Sequence, residues 1–369
     1  MIERFEVENF KGFEQRFGMD FTARDYKFNE LLQRNGLVNK AIVYGKNGIG
    51  KSNLGIAIFD VVLHLTDKER MPANYLQNYR NLNSPDNKPV SFKYCFKFGN
   101  DRIVYEYQKL GSDFLVHEKV EQNGKTIIDY SFFGQKKFVD PQLLGSLRID
   151  LIDNRLSVVK YIYRNKPKSE IPLISEMVEF CEGMLWYRSL SEGASYSGFT
   201  NGRSLLDEGL YSSGKLKDFE NFLRENGLEY KLDFVSINGI HQLVAVYGYG
   251  RKVPFSSVAS TGTNALYLFF FWKISAFDKI KFLFIDEFDA FLHYESSENL
   301  IETLNKMTGF QSVLTTHNTD LMSNKLTRPD CCFVMTKGKI TALCDATDRE
   351  LREGHNLEKL YKSGEFDAD

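Results

Sequence analysis

The feature that most constrains the fold of this 369-residue chain is a glycine-rich octamer near its N-terminus. Glycines at its spacing let successive backbone N–H groups curl around phosphate oxygens, and a following helix adds the positive end of its dipole. In such a loop the lysine reaches the β- and γ-phosphates and the serine binds Mg²⁺. The pattern therefore predicts a strand over residues 41–44, then a phosphate-binding loop, then a helix. The predicted nucleotide site consists of Gly45, Lys46, Asn47, Gly48, Ile49, Gly50, Lys51, Ser52 and Asn53.

A second apolar run, residues 280–285, ends in two acids, Asp286 and Glu287. Buried parallel strands of α/β sheets present their C-terminal ends to ligands, so both carboxylates are predicted to lie at the nucleotide. We expect Asp286 to bind Mg²⁺ together with Ser52, and Glu287 to orient or deprotonate the attacking water. The alternative is that the strand ends in an ordinary surface turn. The presence of a phosphate-binding loop in the same chain favours a nucleotide site at Asp286 and Glu287 instead.

Two further segments are candidates for contacts with the γ-phosphate. His317 directly follows an apolar strand, residues 311–316, although a lone histidine is more often structural. An apolar, aromatic-rich helical run, residues 264–276, begins after a short polar segment. A hydroxyl, free backbone N–H groups and the helix dipole form an anion site at such a start, and the alternative is a plain N-cap. The polar segment reads Ser260, Thr261, Gly262 and Thr263.

Together these motifs resemble those of ABC-type ATPases, in the soluble branch of SMC and RecF-like proteins. Residues 45–52 match the Walker A loop, residues 260–263 stand where the signature motif does, Asp286 and Glu287 match Walker B, and His317 matches the switch histidine. The signature departs from the usual pattern, because threonines occupy the places of a glycine and a glutamine. Candidates for the glutamine of the Q-loop are Gln77, Gln135 and Gln142.

Three other segments narrow the resemblance. Residues 2–13 resemble the first strand and turn of the same branch. Residues 286–293 and 354–361 are similar to prokaryotic AAA-type ATPases of phage-defence operons. Those relatives are the AbiL-like, PARIS-type and Septu-type ATPases and the ATPase half of the overcoming-lysogenisation-defect nucleases.

The resemblance implies an α/β fold, an ABC-ATPase head with a P-loop parallel-sheet core, an antiparallel β-subdomain and an α-helical insert. It implies ATP and Mg²⁺ as cofactors, and hydrolysis of ATP to ADP and phosphate with Glu287, His317 and Lys51 as catalytic residues. It also implies a homodimer or higher homo-oligomer. In such assemblies each nucleotide lies between the Walker A loop of one subunit and the signature of the other, so that Ser260 and Gly262 serve the partner's γ-phosphate.

The chain is predicted to have three parts. Residues 1–140 form an N-terminal lobe with the Walker A loop and an antiparallel meander of four strands between residues 90 and 130. Residues 141–230 form a helical insert, with helical periodicity over 141–186 and a Gly-, Ser- and Asn-rich mobile loop over 189–214. Residues 231–369 form a C-terminal lobe with the signature, Walker B and His317. Sustained heptads are missing from the sequence, which argues against a coiled-coil arm.

Composition fits a cytoplasmic enzyme. The net charge of −2 gives no global attraction to nucleic acid or membranes, and the longest apolar run, residues 265–272, is too short to span a bilayer. The five cysteines include no CxxC pair, so neither a disulfide framework nor a zinc site is indicated. A basic cluster among tyrosines is compatible with nucleic-acid binding, but a solvated helix end is the commoner explanation. That cluster consists of Lys160, Arg164, Lys166 and Lys168.

The leading hypothesis is an ATP-switched head that regulates a separately encoded effector, a nuclease or toxin, in anti-phage defence. Too few residues follow Glu287 for a TOPRIM nuclease module, the histidines lack HNH spacing, and the terminal pair Asp367 and Asp369 is a poor metal site. The first alternative is a RecF-like DNA-binding repair ATPase. The second is a nucleotide-binding scaffold with negligible turnover.

Overall fold

A computed structural model of the chain describes residues 1–68, 75–149, 153–188, 196–197 and 206–366. Within these ranges, one sheet has seven strands and carries the motifs described above. Its five inner strands are parallel, and an antiparallel strand closes each edge. In spatial order the strands are Tyr196–Ser197, Met184–Arg188, Phe282–Asp286, Gln311–Thr316, Lys40–Tyr44, Cys332–Thr336 and Lys339–Ala342.

A second sheet of the described ranges is antiparallel throughout and contains the predicted meander. Its strands alternate buried and partly exposed residues, as expected of a sheet with one face on the core. In spatial order they are Lys137–Val139, Lys125–Ser131, Leu115–Gln122, Asp101–Lys109, Val90–Phe98, Ile2–Glu8 and Phe17–Asp20. Two smaller antiparallel sheets pair Leu232–Ile237, Ile240–Val246 and Lys252–Pro254, and Gln33–Arg34 with Leu37–Val38.

The described residues form ten helices. They are Lys51–Leu65, Pro141–Leu144, Val158–Asn165, Pro172–Glu182, Leu206–Ser213, Leu216–Glu225, Phe255–Val258, Thr261–Ser275, Tyr294–Asn305 and Leu357–Lys362. Short 3-10 turns lie at Glu30–Leu32, Lys168–Glu170, Gly248–Gly250, Thr319–Leu321 and Leu343–Asp345. No helix among these described residues is both long enough and apolar enough to cross a bilayer.

Two hydrophobic cores lie on opposite faces of the parallel sheet. Successive strand residues point to opposite faces, so Phe282 and Phe284 pack in one core while Leu283 and Ile285 pack in the other. The first core holds helix Lys51–Leu65 between the parallel and antiparallel sheets. Gly55 permits this contact, since a Cβ atom there would lie 2.6 Å from the Phe284 ring. The phosphate-loop helix is thus clamped between two sheets.

The helical prediction over residues 141–186 is wrong at its end. The helix Pro172–Glu182 stops where the Gly183 N–H bonds to Glu179 and Phe180, and Met184–Arg188 is a buried strand beside Phe282–Asp286. A short apolar run fits the period of a helix and that of a strand equally well. Here, pairing with Phe282–Asp286 makes the run a strand. The predicted mobile loop lies outside the described residues apart from 196–197 and 206–214, of which 206–213 form a helix. Asp367 and Asp369 also lie outside them. The three-part division at residues 140 and 230 stays a prediction.

Candidate functional site

The phosphate-binding loop connects the buried strand Lys40–Tyr44 to helix Lys51–Leu65. Two of its glycines adopt left-handed backbone conformations, with φ of 78° at Gly48 and 112° at Gly50, which other residues reach only with strain. The loop therefore takes the curled path that the sequence predicts, and it places the start of a 15-residue helix at its end. Backbone N–H groups and the helix dipole at such a helix start favour the binding of an anion.

Lys51 folds back over its own loop. Its Nζ donates to the Gly45 carbonyl at 2.6 Å and to the Lys46 carbonyl at 3.1 Å, and the residue is almost fully buried. Burial lowers the pKa of the ammonium group, against the opposing effect of the nearby carboxylates of Asp286 and Glu287. The lysine thus lies at the centre of the loop, close to both predicted Walker B acids.

Asp286 ends the Walker B strand and is completely buried. Its Oδ1 accepts a hydrogen bond from Thr315 Oγ1 at 2.8 Å, while its Oδ2 accepts no hydrogen bond from any described residue. Burial raises the pKa of this carboxyl, and the hydroxyls of Ser52 and Thr315 oppose the shift. A buried, unsatisfied carboxylate oxygen close to a serine hydroxyl is an oxygen donor set of the kind Mg²⁺ prefers, so these residues fit the ion.

Glu287 has a left-handed backbone, with φ of 49°, which is rare for a residue other than glycine. Its N–H donates to Thr315 Oγ1 at 2.8 Å, so a single hydroxyl contacts both Walker B acids. Strained backbone conformations are frequent at functional sites, where hydrogen bonds and packing of the surrounding residues maintain them. Thr315 therefore fixes the position of Glu287 relative to Asp286.

The Glu287 side chain is held by Arg188, a residue that the sequence did not indicate. Arg188 Nη2 lies 2.6 Å and Nε 3.2 Å from Glu287 Oε2, and Nε lies 3.6 Å from Asp286 Oδ2. Arg188 ends the strand Met184–Arg188, where it pairs in register with Asp286. The signal that could have found it is an apolar run ending in a charged residue, the pattern that identified Asp286.

His317 emerges at the same edge of the sheet. It follows the strand Gln311–Thr316, which lies between the Walker A and Walker B strands, and its side chain is exposed. The preceding Thr316 donates to Asp289 Oδ2 at 2.8 Å and accepts the Asn318 N–H at 2.9 Å. Burial raises the pKa of Asp289, and the charge of His317 opposes this shift. Asp289 and Thr316 are further members of the site that sequence reasoning missed.

The signature segment forms a separate cluster. Ser260 Oγ accepts the Thr263 N–H at 3.1 Å and lies 2.9 Å from Thr263 Oγ1, so Ser260 is an N-cap of helix Thr261–Ser275. A Cβ atom on Gly262 would lie 2.4 Å from the Phe291 carbonyl oxygen, which places Gly262 against the loop after Walker B. None of the described contacts of residues 260–263 reaches the phosphate-binding loop of the same chain.

A polar cavity of about 490 Å³ adjoins the phosphate-loop helix at Asn53. Lys11 Nζ donates to the Gln77 carbonyl at 2.6 Å across it, and Asn81 Nδ2 donates to the Lys11 carbonyl at 2.6 Å. Of the three glutamine candidates, Gln77 thus lies beside the site. Gln135 and Gln142 lie near strand Lys137–Val139 and in helix Pro141–Leu144.

The basic cluster on the insert consists of ion pairs. Lys160 and Arg164 both bond to Asp67, Lys166 bonds to Glu170 at 3.2 Å, and Lys168 bonds to Glu179 at 2.6 Å. Carboxylates that neutralise each cation weaken any attraction to a phosphate backbone. The geometry therefore favours the interpretation as a solvated helix end.

Comparison with known proteins places these motifs in a family. The family model described as "AAA domain, putative AbiEii toxin, Type IV TA system" matches residues 40–323, a range that contains the phosphate-binding loop, the signature, Walker B and His317. No curated protein sequence matches the chain significantly.

Solved structures similar to this chain include three SMC heads. The SMC head domain from Thermotoga maritima is 13% identical, with 92% of this chain and 97% of that chain covered and a TM-score of 0.41. The Smc head with an extended coiled coil bound to the C-terminal domain of ScpA, derived from Pyrococcus furiosus, is 13% identical, with 98% of each chain covered and a TM-score of 0.46. The SmcHead bound to the C-winged helix domain of ScpA is 15% identical, with 92% of this chain and 96% of that chain covered and a TM-score of 0.44.

The family match spans most of the chain. The chain therefore belongs to this AAA-domain family.

Proposed function

We propose that this protein is an ATP-hydrolysing head whose ATP-dependent dimerisation or assembly regulates a separately encoded effector. One observation carries the proposal. Lys51, Asp286 and Glu287 converge at one edge of the sheet, whereas none of the described contacts of the signature residues 260–263 reaches the phosphate-binding loop of the same chain. A second copy of the chain can supply the signature, and nucleotide binding is then linked to assembly.

In the proposed reaction the N–H groups of residues 45–50 and the Lys51 ammonium bind the ATP phosphates. Ser52 and Asp286 hold Mg²⁺, which when bound neutralises charge on the β- and γ-phosphates. Glu287 accepts the proton of the attacking water, and Thr315 keeps its strained backbone in place. His317 lies at the adjacent strand end, where an imidazole can donate to a γ-phosphate oxygen. Positioning and charge stabilisation account for most catalysis of this kind.

The signature acts in trans in this proposal. Ser260 and the first N–H groups of helix Thr261–Ser275 contact the γ-phosphate held by the other copy. Gly262 packs against the loop that follows Walker B, so a movement at the signature is transmitted to the acids of its own chain. Thr261 and Thr263 occupy positions that are usually glycine and glutamine, and Thr263 is buried in its own helix start.

The proposed cellular role of the protein is anti-phage defence in the cytoplasm. The family description includes the words "putative AbiEii toxin, Type IV TA system", which support a defence role over DNA repair. The effector, a nuclease or toxin, is encoded separately. The RecF-like alternative requires ATP-dependent binding of duplex DNA that weakens steeply with salt, and the paired cations of the insert do not favour it.

Complementation between two inactive variants tests the trans site. Lys51→Ala removes the phosphate lysine and Ser260→Arg blocks the signature, so each homodimer is inactive. A mixed dimer keeps one intact site, made of the Walker A loop of the Ser260→Arg chain and the signature of the Lys51→Ala chain. Random mixing should restore about a quarter of the parental hydrolysis rate, because half of the dimers are mixed and each has one intact site of two. A mixture as inactive as its components contradicts the proposal.

A further inference from the structure

The guanidinium group of Arg188 contacts both Walker B acids. Its Nη2 lies 2.6 Å from Glu287 Oε2 and its Nε lies 3.6 Å from Asp286 Oδ2. Both contacts come from a residue that is 99 positions away from Glu287 in the sequence and is not one of the motif residues. Arg188 therefore forms an ion pair with Glu287, the carboxylate that is proposed to activate water.

The position of Arg188 is fixed by the sheet. It ends the strand Met184–Arg188, whose other residues are buried, and it stands beside Asp286 in register. About a third of its side chain, 34%, remains exposed, and 26% of the Glu287 side chain does. One side of the ion pair thus faces the open edge of the site, where an incoming anion can compete for the guanidinium.

We propose that Arg188 recognises the γ-phosphate, exchanging its contact with Glu287 for a contact with ATP. The inference rests on the proposed function of the same site. A general base lies within one water molecule of the atom attacked, at hydrogen-bond distances of about 3 Å. A guanidinium bonded to that base is therefore within side-chain reach of the γ-phosphate. The planar fork of arginine suits phosphate oxygens as well as it suits carboxylates.

This exchange has two consequences. Without a triphosphate, Glu287 Oε2 is engaged by two N–H donors of Arg188 and is not free to take a proton from water. With ATP bound, the released carboxylate can act as the base, so hydrolysis follows the arrival of the γ-phosphate. ADP lacks that phosphate and leaves the ion pair intact. Arg188 is thus a specificity-determining residue that separates ATP from ADP.

The test compares the Kd of ADP with that of a non-hydrolysable ATP analogue, both with Mg²⁺, by titration calorimetry. Arg188→Ala should leave ADP binding within about twofold and weaken the ATP analogue by about tenfold or more, the equivalent of about 1.4 kcal/mol. Arg188→Lys keeps the positive charge but lacks the planar guanidinium, so its Kd for the ATP analogue should lie between those of the parent and Arg188→Ala. Arg102→Ala is a matched control, because Arg102 Nη2 makes an ion pair of the same 2.6 Å length with Glu3 on the antiparallel sheet.

Equal weakening of both nucleotides by Arg188→Ala would mean that Arg188 only holds the acids in place, and unchanged binding would also overturn the inference. If Arg188→Ala fails to fold, Arg188→Gln carries the same expectation. Lys51→Ala separates this inference from the proposed function. If Lys51→Ala binds both nucleotides normally, the nucleotide site itself is wrong. If Lys51→Ala binds neither nucleotide, and Arg188→Ala does not weaken the ATP analogue more than ADP, the role of Arg188 is wrong but the nucleotide site stands.

Discussion

The hydroxyl of Thr315 donates to Asp286 Oδ1 at 2.8 Å, which joins the strand Gln311–Thr316 to the strand Phe282–Asp286 at their C-terminal ends. The same oxygen accepts the N–H of Glu287, whose backbone is strained. One side chain therefore sets the geometry of a predicted metal ligand and of a predicted general base.

Replacing Thr315 should uncouple nucleotide binding from turnover. Thr315→Val keeps the shape of the side chain but leaves Asp286 Oδ1 and the Glu287 N–H without their partner, at a cost of about 1–3 kcal/mol in the free energy of unfolding. We expect kcat for ATP to fall about 10- to 100-fold, because misplacement of a catalytic base has effects of that size, while the Kd for ADP stays within about threefold. Steady-state kinetics and calorimetry check this. Thr315→Ser, which retains the hydroxyl, is the control, and its failure to preserve kcat would contradict the role assigned here.

A buried ion pair joins the phosphate-loop helix to the antiparallel sheet. Asp60 is fully buried, and its carboxylate accepts bonds from Lys109 Nζ at 2.7 Å and from the hydroxyls of Tyr75, Tyr79 and Tyr107 at 2.6–2.8 Å. Burial by itself raises the pKa of Asp60, but the lysine and the hydroxyls outweigh it and hold the pKa below its usual value. Asp60 is thus ionised in the folded state over the whole neutral range.

Asp60→Ala should lower the free energy of unfolding by about 3–5 kcal/mol, because it leaves a buried Lys109 ammonium without a counter-charge. Since the folded-state pKa of Asp60 lies below the unfolded one, its stabilising effect is present above the unfolded pKa and disappears as the pH falls through the folded pKa. Urea unfolding at neutral and acidic pH measures both effects. A double variant, Asp60→Leu with Lys109→Met, should be less destabilised than Asp60→Ala. If the single variant unfolds like the parent, the network does not stabilise the helix.

Lys40 gives the opposite pH dependence. Its Nζ donates to the Phe310 carbonyl at 2.8 Å and lies 4.0 Å from the centre of the Phe310 ring, and burial together with the charge of Arg34 lowers its pKa to about 7. Between pH 7 and about 10 the unfolded chain therefore binds the proton that the folded chain releases, so that stability rises with pH.

Lys40→Met should remove this pH dependence and raise the free energy of unfolding at pH 7 by up to about 4 kcal/mol, because at this pH the unfolded chain holds the Lys40 proton far more tightly than the folded chain does. The comparison is between denaturant midpoints at pH 7 and pH 9.5 for the parent and the variant. Lys40→Arg keeps a permanent charge in the same position, and we expect it to be destabilised at both pH values. A parent whose Lys40-dependent stability falls between pH 7 and pH 9.5 would show that the sign is wrong.

Local patterns in the sequence predicted most of the fold. The strand, glycine loop and helix around Lys51, the antiparallel meander and the Walker B strand all have strong local signals, and the structure contains each of them. The strand Met184–Arg188 was missed because its apolar residues also fit a helical period. Arg188 and Thr315 were missed for another reason: their contacts join different strands, and the order of strands in a sheet is not encoded in any one segment.

Assembly of two copies of the chain around shared nucleotides can be measured by light scattering of Glu287→Gln. The variant should bind ATP with Mg²⁺ but hydrolyse it slowly, so that the closed assembly accumulates. We predict a molar mass of at least twice the 42.6 kDa of one chain with saturating Mg²⁺-ATP, and a single-chain mass with ADP. Ser260→Arg added to the same variant should return the mass to that of one chain. A single-chain mass for Glu287→Gln while calorimetry shows ATP bound would mean that two copies do not assemble around the nucleotide.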